Sequence, residues 1–302
     1  MSNLDDYEDA FAEGRWLLAH PVLPLVRLVQ WLYLSGPFAT VAAVLDELVE
    51  PIETAAAVYD EPAKLLRPYL PVLSALATLK TPAPALPVRC LIMTENREPL
   101  DLLAALDLWI GQQVLTMELA RLNSLLCRPC GCALCCTGPD RTAGQEDCFF
   151  EIPLAAEELN SFALPQVDTV LSRRQTARAE PPLLRADRPF YQTAPALYNW
   201  RTGWSLILPV AAACPHLDLA RRLCRIYPHR PAVCRRPQIF PYVLERRPDL
   251  DKTIAGEEIS AYISRRKVLA VWDCPYVQKL QAEIAAYAEL ADLEPVFKHN
   301  KK

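Results

Sequence analysis

The sequence predicts a mainly α fold: a helical, bundle-like N-terminal region, then an irregular cysteine-cluster region, then C-terminal helices. Three observations lead there. Apolar residues recur at helical spacing through most of residues 1 to 126. Periodicity is lost from Cys127 to Asp147, where Gly131, Gly138, Pro139 and Gly144 supply turns. Helical patterns then return in EEISAYISRRKVLAVWDC and VQKLQAEIAAYAELADL. The expected organisation is therefore 1–126, helical; 127–240, cysteine-cluster; and 241–302, helices packing on the cluster region.

In order along the chain, Leu23, Val26, Val29 and Leu32 give a helix placed after Pro21 and Pro24. A second helix is expected from Phe38 to Val49, stopped by Pro51, and a third over Pro62 to Leu79 with a break at Pro71. The TPAPALP stretch, 81–87, reads as a stiff extended connector. Pro99 to Leu126 is the longest periodic segment and ends where the cysteines begin. Beyond them come a short strand at 148–152, a helix from Ala155, an unassigned polar stretch over 171–203 and a buried strand in WSLILPVAAAC.

With 302 residues, 52% of them apolar and 23% charged, the chain is long enough to bury a core without metal and too balanced to be disordered. Its formal net charge of -4 carries no basic footprint for nucleic acid. The most hydrophobic stretch, 17–34, is interrupted by His20, Pro21, Pro24, Arg27 and Gln30, which argues for a buried helix over a transmembrane segment. The acidic MSNLDDYEDAFAEG start lacks the pattern of an export signal, so the expected location is the cytoplasm. In that reducing compartment eleven cysteines point to metal rather than to disulfides.

The run CRPCGCALCC places Cys127, Cys130, Cys132, Cys135 and Cys136 within ten residues. Thiolates at C-x2-C spacing suit zinc, copper(I) or iron-sulfur clusters, and the adjacent pair Cys135 and Cys136 favours the cluster over a zinc ribbon. Cys214, Cys224 and Cys234 form a second group, each pair separated by nine residues, and bring the set to eight thiols. That number fills two four-coordinate sites, or one cluster with supporting thiols. Arg221, Arg222, Arg225, Arg230, Arg235 and Arg236 either offset the charge of such a centre or form a solvated basic face.

These features resemble the zinc- or iron-chelating cysteine-cluster family known as YkgJ-like or CxxCxxCC. The resemblance covers about 127 to 240 and rests on CRPCGCALCC, ELNSF, CPHL and CRIYPHRPAVCR, with Cys224, Ile226, Tyr227, Arg230, Pro231, Cys234 and Arg235 at the motif positions. The family pattern has Cys-Gly-x-Cys-Cys, whereas this chain has Cys130-Gly131-Cys132-Ala133-Leu134-Cys135-Cys136, so one of Cys127, Cys130 and Cys132 is an extra thiol. A more distant resemblance is to flagellin lysine methylases, which implies modification of a protein lysine with S-adenosylmethionine. No glycine-rich strand-to-helix turn for that cofactor is present in the sequence.

Lesser candidates are Cys148, Cys274 and Cys90 as ligands or buried thiols, and His216 and His229 as ligands or neighbours of the site. Asp218, Glu157 and Glu158 are candidates for proton transfer or for capping, and Trp200 and Trp204 for ligand stacking or packing. No residue is assigned a catalytic role, and no small-molecule substrate is identified. The first functional reading is an iron-sulfur protein, 4Fe-4S, that transfers electrons or supports modification of a partner protein. The alternative is a zinc-stabilised structural or protein-interaction module, and a third is metal delivery or sensing.

Overall fold

The computed structural model describes residues 4–54, 57–80, 90–138, 148–236, 238–254 and 256–299. It divides into two units, the first formed by Met1–Leu126 with Gln238–Lys298 and the second by Cys127–Pro237 with the last four residues. The expectation of a mainly α chain is overturned, because both units are built on β-sheets and the fold is mixed α/β.

In the first unit the strand Glu257–Val271 organises the sheet. One edge pairs antiparallel with Ile239–Arg246; the other takes Cys90–Met93 and Glu294–Lys298, both parallel. This is the EEISAYISRRKVLAVWDC segment expected as a helix. The misreading has a physical cause: a spacing of four, as between Ile259 and Ile263, belongs to the helical period and to the strand period alike. Ile259, Tyr262, Ile263, Val268 and Val271 are β-branched or aromatic, and strands on both edges satisfy the backbone, so the extended form wins. The following pattern does form helices, Pro275–Lys279 and Gln281–Leu290.

The long helix Leu102–Cys130 starts where the Asp101 carboxylate accepts from Ala104 N at 2.8 Å. It buries Leu106, Ile110, Val114, Leu115, Leu119, Leu122 and Leu126. Three polar side chains on it are matched to backbone or to phenols. Gln112 Oε1 accepts from Val243 N and Leu244 N, each at 3.0 Å, where the strand register shifts. Asn123 clasps Ile239, accepting from its N at 3.0 Å and donating to its O at 2.7 Å, and also accepts from Tyr276 OH. Glu118 accepts from Val22 N at 2.9 Å and Tyr287 OH at 2.7 Å.

The expected N-terminal helices are present but shorter. Leu23–Ser35 forms, and Val41–Glu47 replaces the wider 38–49 span, its start capped by Thr40 Oγ1 accepting from Ala43 N. The 62–79 stretch breaks into Pro62–Leu66, Leu70–Leu73 and two 3-10 turns, because Pro68 and Pro71 remove donors from a continuous helix. The 81–87 connector lies outside the described residues. No single described helix is long and apolar enough to cross a membrane.

The second unit has a four-stranded sheet in the order Phe149–Leu154, Gly203–Pro209, Ala196–Trp200, Gln166–Val167. The helix expected from Ala155 is only a 3-10 turn, Ala156–Ser161. Alternation along the strands gives each face its own core. Phe149, Phe190, Tyr198, Trp200 and Ile207 pack on one side; Leu154, Leu159, Phe162, Leu197, Leu206 and Leu208 pack on the other, with Cys214 and Val233 against them.

Candidate metal centre

The long helix carries Cys127 in its last turn and Cys130 at its end. Gly131 then adopts φ +61°, the left-handed conformation that ends a helix at least cost, and swings Cys132 away from the helical path. The Sγ atoms of Cys130 and Cys132 lie within 4.8 Å of each other. A 3-10 turn, Leu134–Cys136, presents the adjacent pair, closed by Cys136 N donating to Ala133 O at 2.9 Å.

Backbone bonds stitch this turn to the second cysteine group. Cys214 N donates to Cys136 O, and Gly138 N to Ala212 O, each at 2.7 Å. Gly138 has no alternative here, since a Cβ would sit 1.9 Å from Pro209 O. Cys224 lies opposite Leu217 in a hairpin of two-residue strands. The chain from Cys224 to Cys234 then runs through two 3-10 turns, Tyr227–His229 and Ala232–Arg235. It is anchored by Ala232 N donating to Glu158 Oε1 at 2.7 Å.

The result is one cavity of about 420 Å³ whose wall includes Cys127, Cys132, Cys135, Cys136, Cys214, Cys224 and Cys234. Seven of the eight sequence candidates are therefore brought together; Cys130 is not part of the wall. Opposite the thiols stand Phe150, Ile152, Phe162 and Leu206 from the sheet and the adjoining turn. Sequence reasoning missed these four, and alternation within the CFFEI segment is the signal that would have placed Phe150 and Ile152 on one face.

Electrostatically the wall is crowded with like groups. Burial pushes the Cys127 thiol up to about 12, with the neighbouring Cys135 adding to the shift. Cys234 is likewise pushed up to about 12 by burial and then by Cys135 and Cys214. Cys136 is raised by its hydrogen bond with Cys135 and then by burial, while burial raises Cys214 and Cys224. Cys135 contributes in all five cases, which makes it the hub of the cluster. Thiols so placed cannot ionise together unless a cation joins them, and a soft cation binding there would release protons. All eleven cysteines are free thiols, so the donor set is intact and purely sulfur, which fits zinc or an iron-sulfur centre.

His216 lines the cavity, but its Nε2 lies 2.7 Å from Ser161 O, and its ring packs against Phe162. His229 is exposed and outside the wall. Asp218 caps its turn, accepting from the N–H groups of Ala220 and Arg221. Glu158 caps too, accepting from Ala155 N at 2.9 Å. Trp200 is buried, stacked on Tyr198 and donating to Ser205 Oγ, and Trp204 packs against the other face. Cys148 is exposed; Cys274 is buried in the first unit, and burial raises the thiol of Cys90, also in that unit.

Residues 126–253 match the CxxCxxCC family, whose description reads "Putative zinc- or iron-chelating domain". No curated protein and no solved structure matches the chain.

Proposed function

We propose, from the premise that residues 126–253 are a CxxCxxCC cysteine-cluster, metal-chelating domain, that the metal is zinc and that it serves as a structural staple for a protein-interaction module. One observation carries this reading. The thiols that face the cavity come from three separate chain segments, 127–136, 214 and 224–234, in which regular structure beyond the last helical turn amounts to 3-10 turns and two-residue strands. Segments so poorly supplied with ladder hydrogen bonds gain fixed geometry from tetrahedral thiolate coordination, and the binding free energy becomes folding free energy. Cys135 and Cys136 with Cys214, Cys224 and Cys234 supply more than the four sulfurs one zinc takes. Cys127 and Cys132 extend the wall, and Cys130 lies outside it with its Sγ within 4.8 Å of that of Cys132. A donor set made of thiols suits a reducing compartment, which supports the reading of a cytoplasmic protein with a protein as partner.

A second reading is an iron-sulfur centre, 4Fe-4S, in electron transfer or support of a partner's modification. It is favoured by the seven thiols around a cavity of about 420 Å³, a larger donor set and a larger space than one tetrahedral ion uses.

Anaerobic purification followed by metal and acid-labile sulfide analysis of one preparation separates the two. Stoichiometric zinc without sulfide is the expected result. Iron with matching sulfide overturns the zinc reading in favour of the cluster, and a fully folded protein holding neither overturns both.

A further inference from the structure

Arg230 is the one cationic side chain that is buried among the described residues, with 8% of its surface exposed. It sits between Cys224 and Cys234, in a stretch stiffened by Pro228 and Pro231. Its guanidinium lies 3.7 Å from the centroid of the Tyr227 ring, and its Nε donates to Tyr227 O at 3.2 Å. Both side chains border the same cavity as Cys127, Cys224 and Cys234. Tyr227 in turn is hydrogen-bonded to the Cys127 sulfur.

We infer that Arg230, held flat on Tyr227, is the built-in counter-charge of the metal centre: a positioning residue that acts through the ligand sulfurs and raises the affinity with which they hold the metal. The inference rests on the metal-chelating reading above. Four thiolates around a doubly charged ion leave a net charge of about -2, and burying that charge is costly without a cation nearby. A guanidinium stays charged at any working pH and is less strongly hydrated than an ammonium, so it tolerates this half-enclosed wall. Its guanidinium borders the cavity into which Cys127, Cys224 and Cys234 also face, so its charge stands on the side where the ligand charge would gather. The ring of Tyr227 fixes where that charge stands, since a cation over an aromatic face is attracted by the ring quadrupole.

The test uses the full chain loaded with zinc and titrated with a competing chelator, comparing wild type, Arg230→Gln and Arg230→Lys. Arg230→Gln is expected to release metal at about tenfold lower chelator, the scale found when groups supporting metal ligands are removed. Arg230→Lys, which keeps the charge and loses the stacked plane, is expected to fall between Arg230→Gln and wild type. Equal retention by Arg230→Gln and wild type overturns the inference. So does an identical loss in both variants when their circular dichroism before chelator matches that of wild type, which would assign Arg230 to packing alone. A wild type that holds no metal instead removes the chelating reading beneath it, and is recognised before any variant is compared.

Discussion

The two units bury polar chemistry in opposite ways. In the first, each buried polar group on the long helix meets a complementary one: Asn123 meets the N–H and C=O of Ile239, and Glu118 meets Val22 N and Tyr287 OH. In the second, like meets like, with seven thiols around one cavity and five of them raised by their neighbours or by burial. The buried polar groups of the first unit's long helix are met from within the protein; the thiols of the second are donors of the kind a cation joins. A core closed by its own hydrogen bonds specifies a fold, whereas convergent identical donors specify a ligand.

The sharpest way to break this contrast is to remove the metal or its hub. Cys135→Ala is expected to lower the metal content of the purified chain at least tenfold and to open 127–237 to limited proteolysis, while the first unit survives as protected fragments. Cys90→Ala, in the first unit, is expected to leave the metal content unchanged. Mass mapping of the fragments together with the metal-to-protein ratio decides it; protection of 127–237 in metal-free Cys135→Ala would show that this unit closes without a cation.

The next effect belongs to the first unit. Asn123→Ala leaves the buried N–H and C=O of Ile239 without partners, and at 1–3 kcal/mol for each orphaned group the cost is about 4 kcal/mol. Denaturant unfolding of the metal-loaded protein measures it. Retained metal content in this variant would keep the two units' chemistries separate, as the contrast requires.

Glu118 gives the same unit a pH signature. Burial pushes its carboxyl up to about 7, even though hydrogen bonds from Tyr287 and Val22 and the charge of Arg121 pull the other way. Because the folded value is the higher one, the neutral acid is favoured in the native state. Its contribution is full below the ordinary value near 4.5 and is lost as pH rises through 7. A shift of that size corresponds to roughly 3 kcal/mol. The stability difference between wild type and Glu118→Gln, measured from pH 4.5 to 8, is expected to change by up to that amount, with the amide variant relatively better at the alkaline end. A difference independent of pH would mean the carboxylate is already ionised in the fold.

How much of this was written legibly in the sequence follows the same division. The thiol run and the Cys224 to Cys234 motif were legible because cysteine density and spacing are local signals, and Arg230 and Tyr227 lay within that motif. The wall opposite the thiols was not, because Phe150 and Leu206 reach the cavity only through the pairing of the second sheet, and Phe162 through the turn that follows its first strand. The extra thiol could be narrowed to three cysteines and no further, since the motif's spacing alone does not choose among them. The long helix was legible because its apolar stripe is sustained over many turns, but it runs to Cys130 and so carries the first cysteines that were expected to lie beyond its end. The strand Glu257–Val271 was misread because its parallel partners, at 90–93 and 294–298, are distant in sequence, and its local pairing with Lys252–Ile254 covers only its first three residues.

The smallest effect tests whether the second unit's departure from complementary pairing extends beyond the thiols. Tyr198 lies on the aromatic face of its sheet, stacked on Trp200 with ring centroids 5.0 Å apart, and its buried hydroxyl has no hydrogen-bond partner among the described residues. An unpaired buried hydroxyl destabilises the native state, while the ring contributes the packing. Tyr198→Phe keeps the ring and removes the liability, so it is expected to leave stability unchanged or raise it by up to about 1 kcal/mol, read as the thermal midpoint of the metal-loaded chain. The corresponding loss of a phenol in the first unit, Tyr287→Phe, takes away the bond to Glu118 and is expected to lower stability. Opposite signs for the same chemical change would place the difference between the units in how their buried polar groups are met; equal losses would show that Tyr198 has a partner after all.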